Sequence, residues 1–89
     1  MIKLIAAEHV GNYEIRLDFS DKTGGVVDLR PIVEAGTSMT EPLRDETFFA
    51  RFFIEMGALA WPNGLDLSAG SLQARLREAG RLEDRSAAA

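Results

Sequence analysis

The chain has no cysteine, a single histidine and a single tryptophan among its 89 residues. Without cysteine there is no disulfide framework, no thiol nucleophile and no thiolate metal site. His9 alone cannot build the usual zinc site, and general-base catalysis also needs a partner that orients the imidazole. We therefore predict no metal and no cofactor, and interpret His9 as a surface or strand-end residue.

Long apolar runs are also absent. The apolar start, residues 1–9, is too short for a signal peptide, and no segment reaches the ~20 apolar residues of a membrane span. We expect a cytoplasmic protein with no membrane partner. The hydrophobic fraction of 46% and the charged fraction of 27% are typical of a globular domain. We predict one domain over residues 1–80 and a frayed tail over residues 81–89.

Basic residues are scarce in most of the chain. Residues 1–70 carry six Lys or Arg against eleven Asp or Glu, a net charge of −5, whereas residues 71–89 carry four Arg against three acidic residues. Nonspecific nucleic-acid binding depends on clustered basic side chains, so the acidic body of this chain disfavours nucleic-acid binding as its function. The same charge suits a basic protein partner.

The order of predicted elements is strands, short helices, strands and a last helix. Residues 2–6 are apolar enough for a strand, and residues 13–19 alternate between apolar and polar side chains, as in an antiparallel strand with one buried face. A turn over residues 20–25, including Gly24 and Gly25, leads into a strand over residues 26–29. Residues 52–56 and 58–61 predict a second hairpin. The expected class is α+β, with an antiparallel sheet of about five strands.

Two or three short helices complete this prediction. Pro31 ends the preceding strand, and residues 32–35 predict one helical turn. Asp45 is a candidate N-cap for residues 46–51, and Ser68 for the C-terminal helix. In that last helix an apolar stripe recurs at Leu72, Leu76, Ala79 and Leu82. Gly80 weakens the helix and is a candidate for its end.

Two groups of side chains are candidate functional surfaces. The first is a cleft formed by Trp61, Asn63, Asp66 and Asp28, which would suit a small ligand or substrate. The second is a basic ridge formed by Arg77, Arg81 and Arg85, which recur every four residues if the helix continues. Each group also has a purely structural interpretation. Trp61 fills a small core, residues 62–64 turn the chain, and the arginines lie on a solvated face. No spacing typical of calcium loops, phosphate loops or nucleophile elbows is present.

The chain resembles the bacterial domain-of-unknown-function 2442 family. The segments that carry the resemblance are the strand over residues 13–19, Val27-Asp28-Leu29, Pro42-Leu43-Arg44-Asp45, Phe48-Phe49-Ala50-Arg51 and, most specifically, Trp61-Pro62-Asn63-Gly64-Leu65-Asp66-Leu67. The resemblance covers about residues 1–76. It implies a small α+β fold without an assigned activity. It also implies genes that lie beside those of other small proteins, as in toxin–antitoxin pairs, and some relatives fused to a helix-turn-helix domain.

Two features depart from that family pattern. Asp21-Lys22 stands where an aspartate-glycine pair is usual, which predicts a longer hairpin loop. No helix-turn-helix follows Asp66, so a fused DNA-binding role does not carry over. The favoured hypothesis is a non-catalytic interaction or regulatory module, an antitoxin-like partner of a small protein encoded nearby, with a homodimer as a further possibility. The alternatives are a ligand-binding or enzymatic domain with a cleft near Trp61 and Asp66, and a nucleic-acid-binding accessory protein.

Overall fold

Two antiparallel sheets and three helices make up residues 1–86, which are the residues that this computed structural model describes. The strands are β1 (Leu4–Gly11), β2 (Glu14–Phe19), β3 (Thr23–Asp28), β4 (Phe53–Glu55), β5 (Ala58–Ala60), β6 (Asp66–Leu67) and β7 (Glu83–Asp84). The helices are α1 (Arg30–Val33), α2 (Glu46–Phe49) and α3 (Ala69–Glu78), and a 3₁₀ turn covers Glu41–Arg44. One sheet has the order β1-β2-β3-β7 and the other β4-β5-β6. The α+β class is confirmed, with the strands divided between two sheets.

The alternation predicted in β2 is confirmed. Ile15, Leu17 and Phe19 are buried, and the residues between them lie on the opposite face, which carries charged side chains. β2 pairs with β1 on one side and with β3 on the other. β2 is therefore an interior strand of the four-stranded sheet, and its buried face belongs to the core.

The first strand begins later and runs further than residues 2–6. β1 spans Leu4–Gly11, and its pairing with β2 shifts register between Leu4 and Ala6 and again between His9 and Gly11. Such a bulge interrupts the alternation of faces, so Ile5 and Ala6 are both exposed after the buried Leu4. His9 lies within this strand, half-buried, with its ring edge-on to Phe49. The apolar run over residues 2–6 does not indicate where these register shifts occur.

Gly24 and Gly25 do not form the turn that was predicted for them. Both lie in β3, and the hairpin turn is confined to Ser20–Lys22. Lys22 has a φ of 68°, the left-handed conformation that glycine usually supplies. The longer loop expected from the Asp21-Lys22 departure is therefore absent, because lysine itself adopts the turn conformation.

The two N-cap residues predicted from the sequence are confirmed. The Asp45 side chain accepts a hydrogen bond from the Thr47 N–H at 3.0 Å, and Ser68 accepts one from the Ser71 N–H at 3.2 Å. α2 is nevertheless two residues shorter than predicted, ending at Phe49. α1 begins at Arg30, because proline is well tolerated in a first helical turn, where its missing N–H is not needed.

α3 ends before the apolar stripe does. Gly80 adopts a φ of 70°, and the Arg81 N–H donates to the Leu76 carbonyl at 2.8 Å, which closes the helix in a Schellman motif. Ala79 and Leu82 are therefore outside the helix. Within residues 81–86, which were predicted as part of a tail, Glu83 and Asp84 pair with β3. The rest of that predicted tail, residues 87–89, lies outside the described residues.

The core lies between the two sheets and α3. Its largest side chains with less than 2% exposure are Trp61, Phe19, Phe49, Leu4, Ile15, Leu17, Leu29, Leu43, Leu59, Leu72 and Leu76. The Leu4 N–H also donates to the Gly57 carbonyl at 2.9 Å, which joins β1 to the β4–β5 turn. None of the helices within residues 1–86 has the length and apolar composition needed to cross a membrane.

Candidate functional site

Trp61 belongs to the core and not to an open cleft. The side chain is 1% exposed, and its Nε1–H donates to the Phe49 carbonyl at 2.8 Å. The Phe49 and Phe52 rings lie 6.0 Å and 6.3 Å from the indole, measured between centroids. Both the apolar surface and the polar atom of the indole are thus satisfied within the protein. A ligand that stacks on Trp61 has no access to it in this conformation.

The other residues of the predicted cleft have separate local tasks. Asn63 donates from Nδ2 to the Met39 carbonyl at 2.9 Å, which fixes the turn after Trp61 to the loop before the 3₁₀ turn. Asp28 accepts a hydrogen bond from the Arg30 N–H at 2.9 Å, at the start of α1. Asp66 is exposed on β6. The contacts of the three side chains do not converge on a common point.

The three candidate arginines do not form a ridge on one helix. Arg77 is exposed near the end of α3, whereas Arg81 and Arg85 follow the turn at Gly80. Arg81 lies 3.6 Å from the Glu14 carboxylate, and Arg85 is paired with Asp18 and Glu83. Two of the three positive charges are therefore engaged within the protein, which weakens the electrostatic basis for a nucleic-acid surface.

Asp21 connects the first hairpin to α3. Its carboxylate accepts hydrogen bonds from the Thr23 hydroxyl at 2.6 Å and from the Gln73 side chain at 2.9 Å. The Thr23 hydroxyl, followed by Gln73, lowers the pKa of Asp21 below its usual value. Burial of Gln73, at 9% exposure, is possible because this amide also donates to the Thr23 hydroxyl. The Asp21 carboxylate thus has a structural role, holding the hairpin turn to α3.

Acidification should remove the stabilisation that Asp21 provides. A carboxyl whose pKa is lower in the folded state stabilises the fold above its unfolded-state pKa, and the effect is lost as the pH falls through the folded-state value. We expect Asp21→Asn to lower the Tm at neutral pH, and the difference from the wild type to shrink below about pH 4. Thr23→Val, which removes the main cause of the shift, should behave in the same way. A Tm difference that stays constant down to about pH 2 would contradict this assignment.

An exposed apolar surface was not found from the sequence. Ile5 and Val10 on β1, and Phe53, Ile54 and Met56 on β4 and its turn, are all large and exposed. β1 and β4 contact each other, and we call these five residues the apolar strip. In β4 all three residues are exposed, although a strand of a small sheet usually buries one face. The sequence predicted a strand over residues 52–56, but it did not indicate that both faces of this strand are exposed.

Met56 is the most unusual member of the apolar strip. It is 95% exposed and has a φ of 52°, and Gly57 next to it has a φ of 79°. Positive φ at both residues of a two-residue hairpin is typical of a type I′ turn, for which Asn-Gly is the preferred sequence. Methionine here combines an unfavourable backbone conformation with an apolar side chain in water. Local stability therefore does not explain the choice of residue.

No group of three or more His, Asp or Glu side chains within residues 1–86 is arranged to hold a metal ion. Buried polar side-chain atoms in the same part of the chain all have hydrogen-bond partners.

Comparison with known proteins agrees with the resemblance noted in the sequence. The model of a family described as a protein of unknown function, DUF2442, matches residues 4–78. No curated protein and no solved structure matches the chain. Because the match spans most of the sequence and includes both sheets up to the end of α3, the chain belongs to the DUF2442 family.

Proposed function

We propose that this protein is a non-catalytic interaction module that docks a partner protein on the apolar strip. The observation that carries the proposal is Met56, whose positive φ opposes folding and whose exposed side chain contributes almost no burial. An outlier of this kind at a surface position is explained when the side chain has a partner outside the chain. Phe53 and Ile54, in the strand that leads into this turn, are also exposed and lie on opposite faces of β4.

The chemistry of the partner is inferred from the net charge of the chain body. Beside the strip, Glu55 is exposed between Ile54 and Met56, and the Lys3 side chain lies against Gly57. Residues 1–70 together carry a net charge of −5. An apolar surface on an acidic body is complementary to a basic protein with its own apolar patch. We infer a regulatory role in which the module masks a small basic partner encoded nearby, as an antitoxin does.

The substitution Met56→Asn should change folding stability and partner binding in opposite directions. Asparagine tolerates the left-handed conformation better than methionine and produces the preferred Asn-Gly turn, so the free energy of unfolding should rise by about 0.5–1 kcal/mol. The same change removes an apolar contact, so binding to the co-expressed product of the neighbouring gene should weaken. Thermal denaturation measures the first effect and titration calorimetry the second.

The matched control is Met39→Ser, which also shortens an exposed methionine, but one that lies outside the strip. It should leave partner binding unchanged. Co-purification that survives Phe53→Ser together with Met56→Asn would overturn the proposed docking face. If the neighbouring product never binds, and light scattering shows that the strip instead joins two copies of the chain, the masking role is wrong.

A further inference from the structure

One edge of β3 is closed by the end of the described chain. Residues 81–86, which we call the strap, run along β3 with Asp84 opposite Thr23 and Glu83 opposite Gly24. The Arg85 N–H donates to the Lys22 carbonyl at 2.7 Å. Since alternate residues of a strand direct their backbone groups the same way, Gly24, Val26 and Asp28 also face this edge. The strap covers only the first part of it.

The two glycines of β3 make this edge accessible to an extended chain. A Cβ atom on Gly25 would lie 2.5 Å from the Arg81 carbonyl oxygen. One on Gly24 would lie 2.5 Å from the Leu17 carbonyl oxygen of β2 and 2.9 Å from the Arg85 Cζ atom. All three distances are shorter than van der Waals contact. Glycine at position 25 therefore allows the approach of the strap, whereas position 24 is restricted by β2 as well as by Arg85.

Arg85 lines a recess together with Asp18. Its guanidinium pairs with Asp18 on β2, and Nη2 lies 3.4 Å from the Glu83 carboxylate. Ile5, Ala6, Phe19 and Lys22 also line the recess, which has a volume of about 430 Å³ beside Arg85. A carboxylate next to apolar walls suits arginine, because the guanidinium forms charge-assisted hydrogen bonds while the aliphatic stem packs.

Apart from Leu82, which is half-buried against the core, the strap is attached by few interactions. β7 contains two residues, both exposed, and the carboxylates and guanidinium groups of its ion pairs are each at least 31% exposed. Exposed ion pairs add little to stability, and short terminal strands belong to the parts of a fold that open most readily. Opening leaves an unpaired strand edge and the Asp18 carboxylate without its arginine.

We propose that this edge is a strand-addition site for an extended, arginine-containing segment of a partner protein, and that the strap occupies it in the free protein. The partner segment runs antiparallel to β3, as β7 does, and places arginine opposite Lys22. Main-chain hydrogen bonds supply affinity, and the Asp18 recess reads the arginine. The site goes beyond the proposed function, because it uses the opposite edge of the sheet from β1.

The test uses the strap sequence itself as the probe. A labelled peptide of residues 80–86, Gly-Arg-Leu-Glu-Asp-Arg-Ser, is titrated against the full chain and against the full-length double variant Arg81→Ser, Arg85→Ser. The variant should bind the peptide about tenfold or more tightly than the wild type, because its own strap competes less. Replacing the second arginine of the peptide by alanine, or adding Asp18→Asn to the variant, should each weaken binding about tenfold. Asp66→Asn, on the other sheet, should have no effect.

Two results overturn the proposal. One is a double variant that keeps its circular dichroism spectrum yet does not bind the peptide. The other is binding that is unaffected by Asp18→Asn. If the double variant does not fold, hydrogen exchange of the wild type decides. The Gly24 N–H should exchange about tenfold or more faster than the Leu17 N–H of the central strand, and equal protection would show that the strap does not open separately. Of the apolar strip only Ile5 also lines the recess, and no variant in this test changes it.

Discussion

Replacing Trp61 by alanine is expected to lower the free energy of unfolding by about 3–5 kcal/mol, the usual loss for truncating a buried aromatic side chain. A chain of 89 residues has a small core, and its total stability lies near the low end of the usual range of about 5–15 kcal/mol. The variant should therefore be largely unfolded, or close to its midpoint, at room temperature. Urea denaturation followed by circular dichroism measures the change.

Two controls identify the cause of this loss. Trp61→Phe keeps most of the buried surface but leaves the Phe49 carbonyl without its indole donor, so it should cost about 1–3 kcal/mol. Phe53→Ala truncates a partly exposed aromatic residue and should cost less than either change at Trp61. A Trp61→Ala variant as stable as Phe53→Ala would show that the indole is not a core residue.

Gly25→Ala is the second change with a large expected effect. The new methyl group would overlap the Arg81 carbonyl oxygen, at 2.5 Å, and would approach the Leu76 side chain at 3.3 Å. Relief requires movement of the strap or of β3, and overpacking of this kind costs about 1–3 kcal/mol. Detachment of the strap should also accelerate tryptic cleavage after Arg81 and Arg85, which limited proteolysis detects before global unfolding.

Gly70→Ala is the matched control for this substitution. Gly70 lies in α3 with open space around its Cα, so alanine adds helix propensity without a clash. It should stabilise the protein by about 0.5–1 kcal/mol and leave cleavage within the strap unchanged. If Gly25→Ala is as well tolerated as Gly70→Ala, the close approach of Arg81 does not constrain position 25.

Local signals in the sequence predicted the parts of the fold whose causes are local. The alternation around Ile15 and Leu17 identified a strand and its buried face, and the short polar side chains of Asp45 and Ser68 identified two helix starts. Gly80 marked the end of α3 for a similar reason, since the left-handed conformation there is set within one helical turn.

Features that depend on distant residues were not predictable in this way. Gly24 and Gly25 resemble a turn in the sequence, but a side chain at either position would collide with the strap, which lies more than 50 residues later in the chain. At Gly24 it would also collide with the Leu17 carbonyl oxygen of β2. Arg85 finds its partner in Asp18, at a separation of 67 residues. The periodic spacing of Arg77, Arg81 and Arg85 therefore predicted one basic surface on a helix. The helix ends before Gly80, so Arg81 and Arg85 do not lie on the helix that carries Arg77. Met56 escaped notice because its φ is set by hairpin geometry.

The buried position of Trp61 gives the protein an internal optical probe. Because the sequence has a single tryptophan, all indole fluorescence comes from one site among Phe49 and Phe52. Its emission should be blue-shifted in the folded chain and should shift to the red only when the core opens. The strap contacts β3 rather than this aromatic cluster, so its release should leave the emission wavelength almost unchanged. Fluorescence thus distinguishes loss of the whole fold from detachment of the strap.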